Sequence, residues 1–429
     1  MQLANTELPE CRRDAVRVRV SPGDIVDTVS PGPRRRDLSR KDVDVEKMTD
    51  RPVLLCFSHL RWGFVWQRPQ HVLSRLAQRF DVWVIEEPEF TATDRAQLRS
   101  TTDAGITILT PLLPVDRGYG WGFNQRTNRA IRRLLSEQWT VVRSNGDVVW
   151  YYTPMAYGSA PGAFDRALVV YDVMDELKHF RGAPAELSNQ EETLFTVADL
   201  VYTGGPGLYN QRKGLHPQVH CFPSGVEAAH FAPDRSRALP AECTTWGSPV
   251  LGFYGVLDER IDFDLIARVA DLRPDWTMVL IGPLAKIQDD ELPRRANIIY
   301  PGKREYSQLP AYLDQFDIAI LPFALNDATA FISPTKTLEY LAAGKPVIST
   351  PIRDVIALYG DAVEIASTPE AFVTIAEALL TGDGAARRAE HGRRLVANHS
   401  WAGIAAEMSE LIETAMAAKN DSAGVLVSV

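Results

Sequence analysis

Short unbroken apolar runs alternate with amphipathic stretches twice along this chain, and that alternation restricts it to an α/β fold built on parallel sheets. In the first half, residues 53–58 (VLLCFS) form such a run. A loop over 59–69 follows. A helical pattern then covers 70–79, with Val72, Leu73, Leu76 and Ala77 on one face, and a second run occupies 82–86. An apolar run without polar alternation marks a strand buried on both faces. Strand–helix–strand order then closes a right-handed parallel unit. Further strands are expected at 106–109, 148–152, 168–171, 200–203 and 219–222, with helices at 123–137 and 184–198. Residues 233–248, with Pro, Ala and Arg, read as a linker. Beyond it the pattern restarts: strand 250–254, helix 264–272, strand 277–281, a short helix near 305–315 and strand 318–322. Strand 363–365 and helix 369–380 continue it. A last helix over 401–418 places Ile404, Met408, Leu411 and Ile412 at helical spacing.

The expected fold is therefore two Rossmann-like, doubly wound domains facing across a cleft. A chain of 429 residues is also too long for a single core. The first domain is expected over 51–232, the linker over 233–248, the second domain over 249–400, the last helix over 401–418 and a tail over 419–429. In open parallel sheets ligands sit beyond the carboxyl ends of the strands, so the loops after strands are where chemistry belongs.

Composition narrows the function. A net charge of −9 argues against nucleic acid as a partner. Apolar content of 45% and charged content of 24% are those of a soluble globular chain. No apolar stretch reaches the roughly 18 residues of a membrane span, and the N-terminus lacks an apolar signal core. Cys11, Cys56, Cys221 and Cys243 are scattered without metal-ligand spacing, as in a reduced cytoplasmic protein. Residues 1–50 read as a disordered basic leader. Within it, 31–41 (PGPRRRDLSRK) leaves open a peripheral contact with the inner face of a membrane.

Residues 331–351 (FISPTKTLEYLAAGKPVISTP) carry the strongest local signal. A Ser-Pro-Thr-Lys-Thr loop enters a helix with Glu339 in its opening turns. Lys336 and the backbone near Thr335 suit a diphosphate, and Glu339 suits a ribose diol. The structural alternative is a capped helix start with a solvated Glu. The following LAAGKPVIST favours the ligand, because it ends the helix at Gly344 and feeds a strand, which sets the loop at a sheet edge. In 251–262 (LGFYGVLDERID), Gly255 permits close approach of a ligand, and Arg260 is placed to clamp a phosphate or to pair with a neighbouring Asp.

The acceptor side is more open. The loop 59–70 (HLRWGFVWQRPQ) holds Trp62 and Trp66 beside His59, Arg68 and Gln70. Aromatic rings among polar groups suit a sugar, or make a hydrophobic plug with Arg68 as anchor. His59, just past a strand, is a candidate catalytic or acceptor-binding group. In 171–180 (YDVMDELKHF), Asp172 and Asp175 are candidates for a base, an acceptor-orienting pair or helix caps. No partner carboxylates stand at metal spacing. Gly204 and Gly205 fit either a phosphate cap or a tight turn.

These segments resemble GT-B-type glycosyltransferases, nearest to bacterial surface-polysaccharide enzymes of the family 4 type. Residues 221–233 (CFPSGVEAAHFAP) resemble the "PNGVD…F.P" hinge, with Ser224 for Asn and Glu227 for Asp. Residues 255–282 resemble the donor-domain entry, 331–351 the nucleotide-sugar helix, and HSWAGIAAEM the C-terminal helix that crosses back to the first domain. The resemblance implies a donor site of Gly255, Arg260, Lys303, Ser333, Pro334, Thr335, Lys336, Thr337 and Glu339, with Glu339 on the ribose. It implies catalysis by Arg260 and Lys336, with Asp172 and His59 assisting. On the acceptor side it implies His59, Trp62, Trp66, Arg68, Gln70, Asp172 and Asp175. It further implies retention of configuration, a UDP- or GDP-sugar co-substrate, no required cofactor or metal, and a polysaccharide, lipid-linked or small acceptor. Two positions depart from the family: Phe331 stands where a second Glu is usual, and Val256 where an Arg is usual. A nucleotide-sugar epimerase using Asp172, Asp175 and His59, or a non-catalytic nucleotide-sugar binder, are the alternatives.

Overall fold

In the computed structural model, residues 51–139, 146–382 and 385–426 are described. The leader expected over 1–50 lies outside them, Cys11 included. Strand β1 (Val53–Ser58) is buried along its whole length. It pairs in parallel with β2 (Asp81–Glu86) on one side and β6 (Val148–Tyr151) on the other, Leu55 standing opposite Trp83 and Val149. With β3 (Glu89–Thr91), β4 (Gln97–Asp103), β5 (Ile106–Pro114), β7 (Leu168–Val173), β8 (Leu200–Thr203) and β9 (Val219–Cys221), they form one sheet. Its order is β3-β5-β2-β1-β6-β7-β8-β9, with β4 antiparallel on β5. The strand order reverses at β1, so the loop from β1 into α1 (Arg68–Leu76) occupies a topological switch point.

The second sheet repeats that logic. Its strands are β10 (Val250–Tyr254), β11 (Thr277–Ile281), β12 (Ile298–Gly302), β13 (Ile318–Leu321), β14 (Val347–Ser349) and β15 (Glu364–Ile365), in the order β12-β11-β10-β13-β14-β15. Here the reversal falls at β10, and the loops after β10 and β13 face the gap between the lobes.

The sequence expectation misses two kinds of strand. β4 (QLRSTTD) is largely exposed, so no apolar run announces it. β12 buries only Ile298 fully and contains Pro301. Helices α2 (Gln125–Ser136) and α3 (Leu187–Val197) fall within the expected stretches. Helix α1 begins two residues before the expected start, where Gln70 Oε1 accepts the Gln67 N–H as the reach-back half of a capping box.

Two chain crossings join the lobes side by side. The outgoing one follows β9; there the Val226 N–H donates to the His399 carbonyl (2.8 Å) of the returning one. The return leads from α11 (Ala385–Asn398) into α12 (Trp401–Leu426). Helix α12 belongs to the first lobe, as expected, but runs beyond 418. Its Trp401, Met408 and Ile412 are buried in one cluster with Leu54, Cys56, Val72 and Leu76. The Tyr202 hydroxyl donates to the Met408 carbonyl (3.1 Å).

The lobes also touch beside the cleft. Helix α4 (Pro206–Arg212) of the first lobe meets α9 (Arg353–Tyr359) of the second. The Gly207 N–H donates to Asp354 Oδ1 (3.0 Å). Gly205 thus serves an approach between lobes, a methyl there lying 2.3 Å from Asp354 Oδ2 and 2.9 Å from Ser333 Cβ, whereas Gly204 packs against the Met174 backbone of its own lobe. Burial pushes the Asp354 carboxyl up to about 6, against the pull of the Gly207 N–H.

Two predictions follow from this contact. Gly205→Ala overpacks it and lowers stability by about 1–3 kcal/mol in urea unfolding. Gly214→Ala, where a methyl meets nothing within 4 Å, stays near wild type in the same assay. The second concerns pH. Asp354 holds its proton to a higher pH folded than unfolded, so its favourable contribution is complete below the unfolded value near 4 and fades as pH rises through about 6. Wild type should therefore lose stability relative to Asp354→Asn between about pH 4 and about pH 6. A constant difference in unfolding free energy across that range would contradict the assignment.

Candidate functional site

A cleft of ≈ 330 Å³ opens between the two switch points. Its rear wall begins with two glycines at strand ends. Gly255 after β10 and Gly282 after β11 have φ of 151° and 155°. A methyl on Gly282 would fall 1.7 Å from the Gly255 carbonyl oxygen, and one on Gly255 would fall 2.3 Å from Lys336 Cε. The bare backbone lets the Lys336 side chain lie across the end of β10. Lys336 opens helix α8 (Lys336–Ala342), and Glu339 follows one turn later. The Tyr254 hydroxyl donates to Glu339 Oε2 (2.8 Å), while the Tyr254 N–H donates to the Tyr340 hydroxyl (3.1 Å).

Charge is arranged around these groups. Burial holds the Lys336 ammonium below its ordinary value, and Glu339 opposes that only in part. Burial pushes the Glu339 carboxyl up and Lys336 opposes that. Arg260 is clamped from behind: its Nε lies 3.0 and 3.1 Å from the two Asp258 oxygens, and Nη2 lies 2.7 Å from Oδ2. The Phe180 ring lies 5.3 Å from the guanidinium carbon. Nη1 takes no part in that fork. Arg260 thus pairs with a neighbouring Asp, one of its two sequence readings, and also lines the cleft. Across the gap, Asp175 lines the cleft too. Burial raises its carboxyl, and Arg260 draws it down.

The front wall is a pinned aromatic loop. The Trp62 N–H donates to Glu86 Oε1 (2.7 Å), and its indole donates to Asp103 Oδ2 (2.8 Å). The Trp66 indole donates to His71 Nδ1 (3.2 Å), and its ring stacks on Tyr306 of the second lobe at 5.8 Å. Lys303 donates to the Gly63 carbonyl (3.1 Å), a second bond across the gap.

The expected residues divide accordingly. Gly255, Arg260, Lys303, Ser333, Pro334, Thr335, Lys336, Glu339, Trp62, Trp66, Arg68 and Asp175 all line one cleft. Four others do not. Thr337 is fully buried, away from the cleft. Gln70 is buried, and its Nε2 donates to the Trp62 carbonyl (2.8 Å), so it supports the loop from beneath. Asp172 is fully buried, gripped by Arg68 Nε and Nη2 at 3.0–3.2 Å. Arg68 itself only edges the cleft; its Nη1 is spent on the Phe222 carbonyl (2.7 Å). His59 lies outside the lining, with its Nδ1 buried and unpartnered. Burial, then the nearby Lys286 charge, hold its imidazole down at about 4. It is neutral at pH 7 and does not face the gap.

Sequence reasoning passed over Tyr254, Asp258, Gly282 and Tyr306. Gly282 had a signal, since it follows a strand just as Gly255 does. Tyr306, reached only through lobe contact, had none.

Residues 248–382 match the family model described as Glycosyl transferases group 1. The chain carries a glycosyl transferases group 1 domain on a GT-B fold. That domain contains every rear-wall group described above. A stretch of 141 residues is 37% identical to TuaH of Bacillus subtilis (strain 168), whose proposed role is that of a teichuronic acid biosynthesis glycosyltransferase; it covers 31% of this chain and 34% of the relative. The chain thus spans about a third of the curated relative it matches. Sucrose-phosphate synthase from Thermosynechococcus elongatus has the same fold, with a TM-score of 0.65 and 14% identity over 86% of this chain and 100% of its own. The catalytic domain of starch synthase IV from Arabidopsis thaliana, bound to ADP and acarbose, gives a TM-score of 0.60 and 12% identity over 86% and 100%. At these identities the likeness is one of fold.

The Arg68–Asp172 pair yields a clean test of its role. Asp172→Ala leaves a buried guanidinium without its counter-charge and should cost about 3–5 kcal/mol in urea unfolding. A variant as stable as wild type would return Asp172 to the list of reacting groups.

Proposed function

We propose that this protein transfers a hexosyl group from a UDP- or GDP-sugar to a carbohydrate or lipid-linked acceptor, with retention of configuration and without a required metal. One observation carries the reading: Arg260, Lys336 and Glu339 line one cleft at the switch point of the second sheet. Two cations beside one carboxylate suit a nucleoside diphosphate, the cations on phosphate and the carboxylate on ribose hydroxyls. As the glycosidic bond to the diphosphate breaks, negative charge gathers on the departing phosphate oxygen. Arg260, held rigid by Asp258, and Lys336, held across Gly255, stabilise that charge without reorganising. The acceptor hydroxyl approaches from the first lobe and passes its proton to the departing oxygen. Closure of the lobes excludes water and suppresses hydrolysis.

Sugar recognition follows a different route from the family pattern. Phe331 stands where the family has a second carboxylate, and Asn326 and Asp327 lie outside the cleft lining. Asn326 accepts the Thr329 N–H as cap of its own turn. Asp175, on the opposite wall, is a carboxylate placed to meet sugar hydroxyls. The epimerase alternative needs several acid–base groups in the cleft. Of its three candidates, Asp172 and His59 stand outside it. The teichuronic acid role proposed for TuaH supports a surface polysaccharide or its lipid-linked precursor as acceptor.

A thermal-shift panel of nucleoside diphosphates and their sugars tests the donor site. A ligand at about 100 times its dissociation constant adds about 2.7 kcal/mol. Lys336→Ala and Arg260→Ala should each lower turnover by on the order of a hundredfold or more, measured as nucleoside diphosphate released in the presence of acceptor. Normal turnover in both would remove the reading. Tight nucleotide binding without release on any acceptor would make the protein a binder.

A further inference from the structure

We propose that the 115–136 segment of the first lobe is a docking face for an anionic lipid surface, seating the cleft mouth at a membrane. The face is built from α2 and the loop before it. Helix α2 turns Thr127, Asn128, Ile131, Leu134 and Leu135 inward. Its opposite side carries Arg126, Arg129, Arg132 and Arg133, all exposed. Positions 126, 129 and 133 form one stripe at i, i+3 and i+7. No acid occurs in α2, and residues 115–136 hold five arginines against the single acid Asp116, in a chain of net charge −9. Asp165 comes only to 3.9 Å of Arg132.

The loop adds apolar groups where such charge alone would predict none. Trp121 is 87% exposed and Val115 58% exposed, the former touching only the Phe90 ring among the described aromatic contacts. Arg126 Nη1 donates to the Gly118 carbonyl (2.8 Å), which fixes the loop against the basic helix. An indole beside arginines whose aliphatic stems cover apolar surface is the pattern of a bilayer interface. Basic residues add attraction to anionic headgroups. A soluble acidic partner would explain the arginines but not the projecting indole.

The position is informative too. The loop follows the carboxyl end of β5, and Phe123 packs edge-on against Phe57 of β1 at 6.4 Å. The Trp121 end of the docking face therefore lies at the same sheet edge as the Trp62–Trp66 loop, and α2 runs back from it towards the start of β6. Seated there, the first lobe would present its front wall to an acceptor whose lipid remains in the bilayer. That consequence rests on the transferase reading, whereas the docking itself does not. No helix among the described residues is long and apolar enough to cross a membrane.

Flotation of the full chain with phosphatidylcholine vesicles, with and without phosphatidylglycerol, tests the proposal. Wild type should float with the anionic vesicles and stay behind with the neutral ones. Replacing Arg126, Arg129 and Arg133 together by Gln should weaken partition by on the order of a hundredfold. Trp121→Ser should weaken it several-fold. Both variants should keep the wild-type unfolding midpoint and nucleotide thermal shifts. Equal flotation of the variants would place any binding elsewhere and overturn the proposal, as would no flotation of wild type. A concentration-dependent dimer abolished by Trp121→Ser would overturn it in favour of a second copy of the chain. A negative nucleotide panel would strike the transferase reading alone, because flotation does not depend on it.

Discussion

Two cations held side by side in a partly desolvated gap are the constraint around which the second lobe is organised. Alone, Arg260 and Lys336 would repel each other and lose hydration, and their ordinary remedy would be to swing into solvent. Here each is tied down. Asp258 is itself buried and takes the Nε–Nη2 edge of the Arg260 guanidinium. Glu339 offsets Lys336 from one turn along the same helix, and is anchored by the Tyr254 hydroxyl. Asp258 neutralises Arg260 from behind, while Glu339 and Asp175 line the cleft together with the cations.

That arrangement depends on backbone more than on side chains. Lys336 reaches its place only because Gly255 has no Cβ, and Gly255 fits only because Gly282 has none. The two strand ends, the lysine and its carboxylate are thus one mechanical unit. The front lobe is built by opposite means. Its loop is irregular, and its rings are fixed individually by hydrogen bonds to Glu86, Asp103 and His71.

This contrast explains what could be read from the sequence. Doubly buried strands announce themselves as apolar runs, so both sheets were legible, apart from strands such as β4 and β12 whose faces are exposed. The rear wall of the cleft was legible because its parts lie close in sequence: strand, glycine and arginine in one segment, lysine and glutamate in another. The front wall was less so. Asp172 still belongs to β7, where successive side chains alternate between faces. Its position near a strand end was evident, but its direction was set by Arg68, 104 residues earlier. His59 was misplaced for a similar reason. Distance from the strand end says how near the cleft a residue is, and only packing says which way it points. The Gly205–Asp354 contact joins two domains and has no local signature at all.

The paired crossings have a mechanical consequence. Val226 and His399 are hydrogen-bonded neighbours, so both covalent links between the halves pass through nearly one point. A door hung on adjacent pins can swing, but it cannot slide. Relative motion is thereby confined to a pivot, and Trp66 with Tyr306 lies beside it: the Tyr306 hydroxyl donates to Glu227, next to Val226, and the His71 ring that accepts the Trp66 indole stacks on Trp401. The axle is thus sheathed in rings, and the jaws turn about a packed bearing rather than a bare thread of chain.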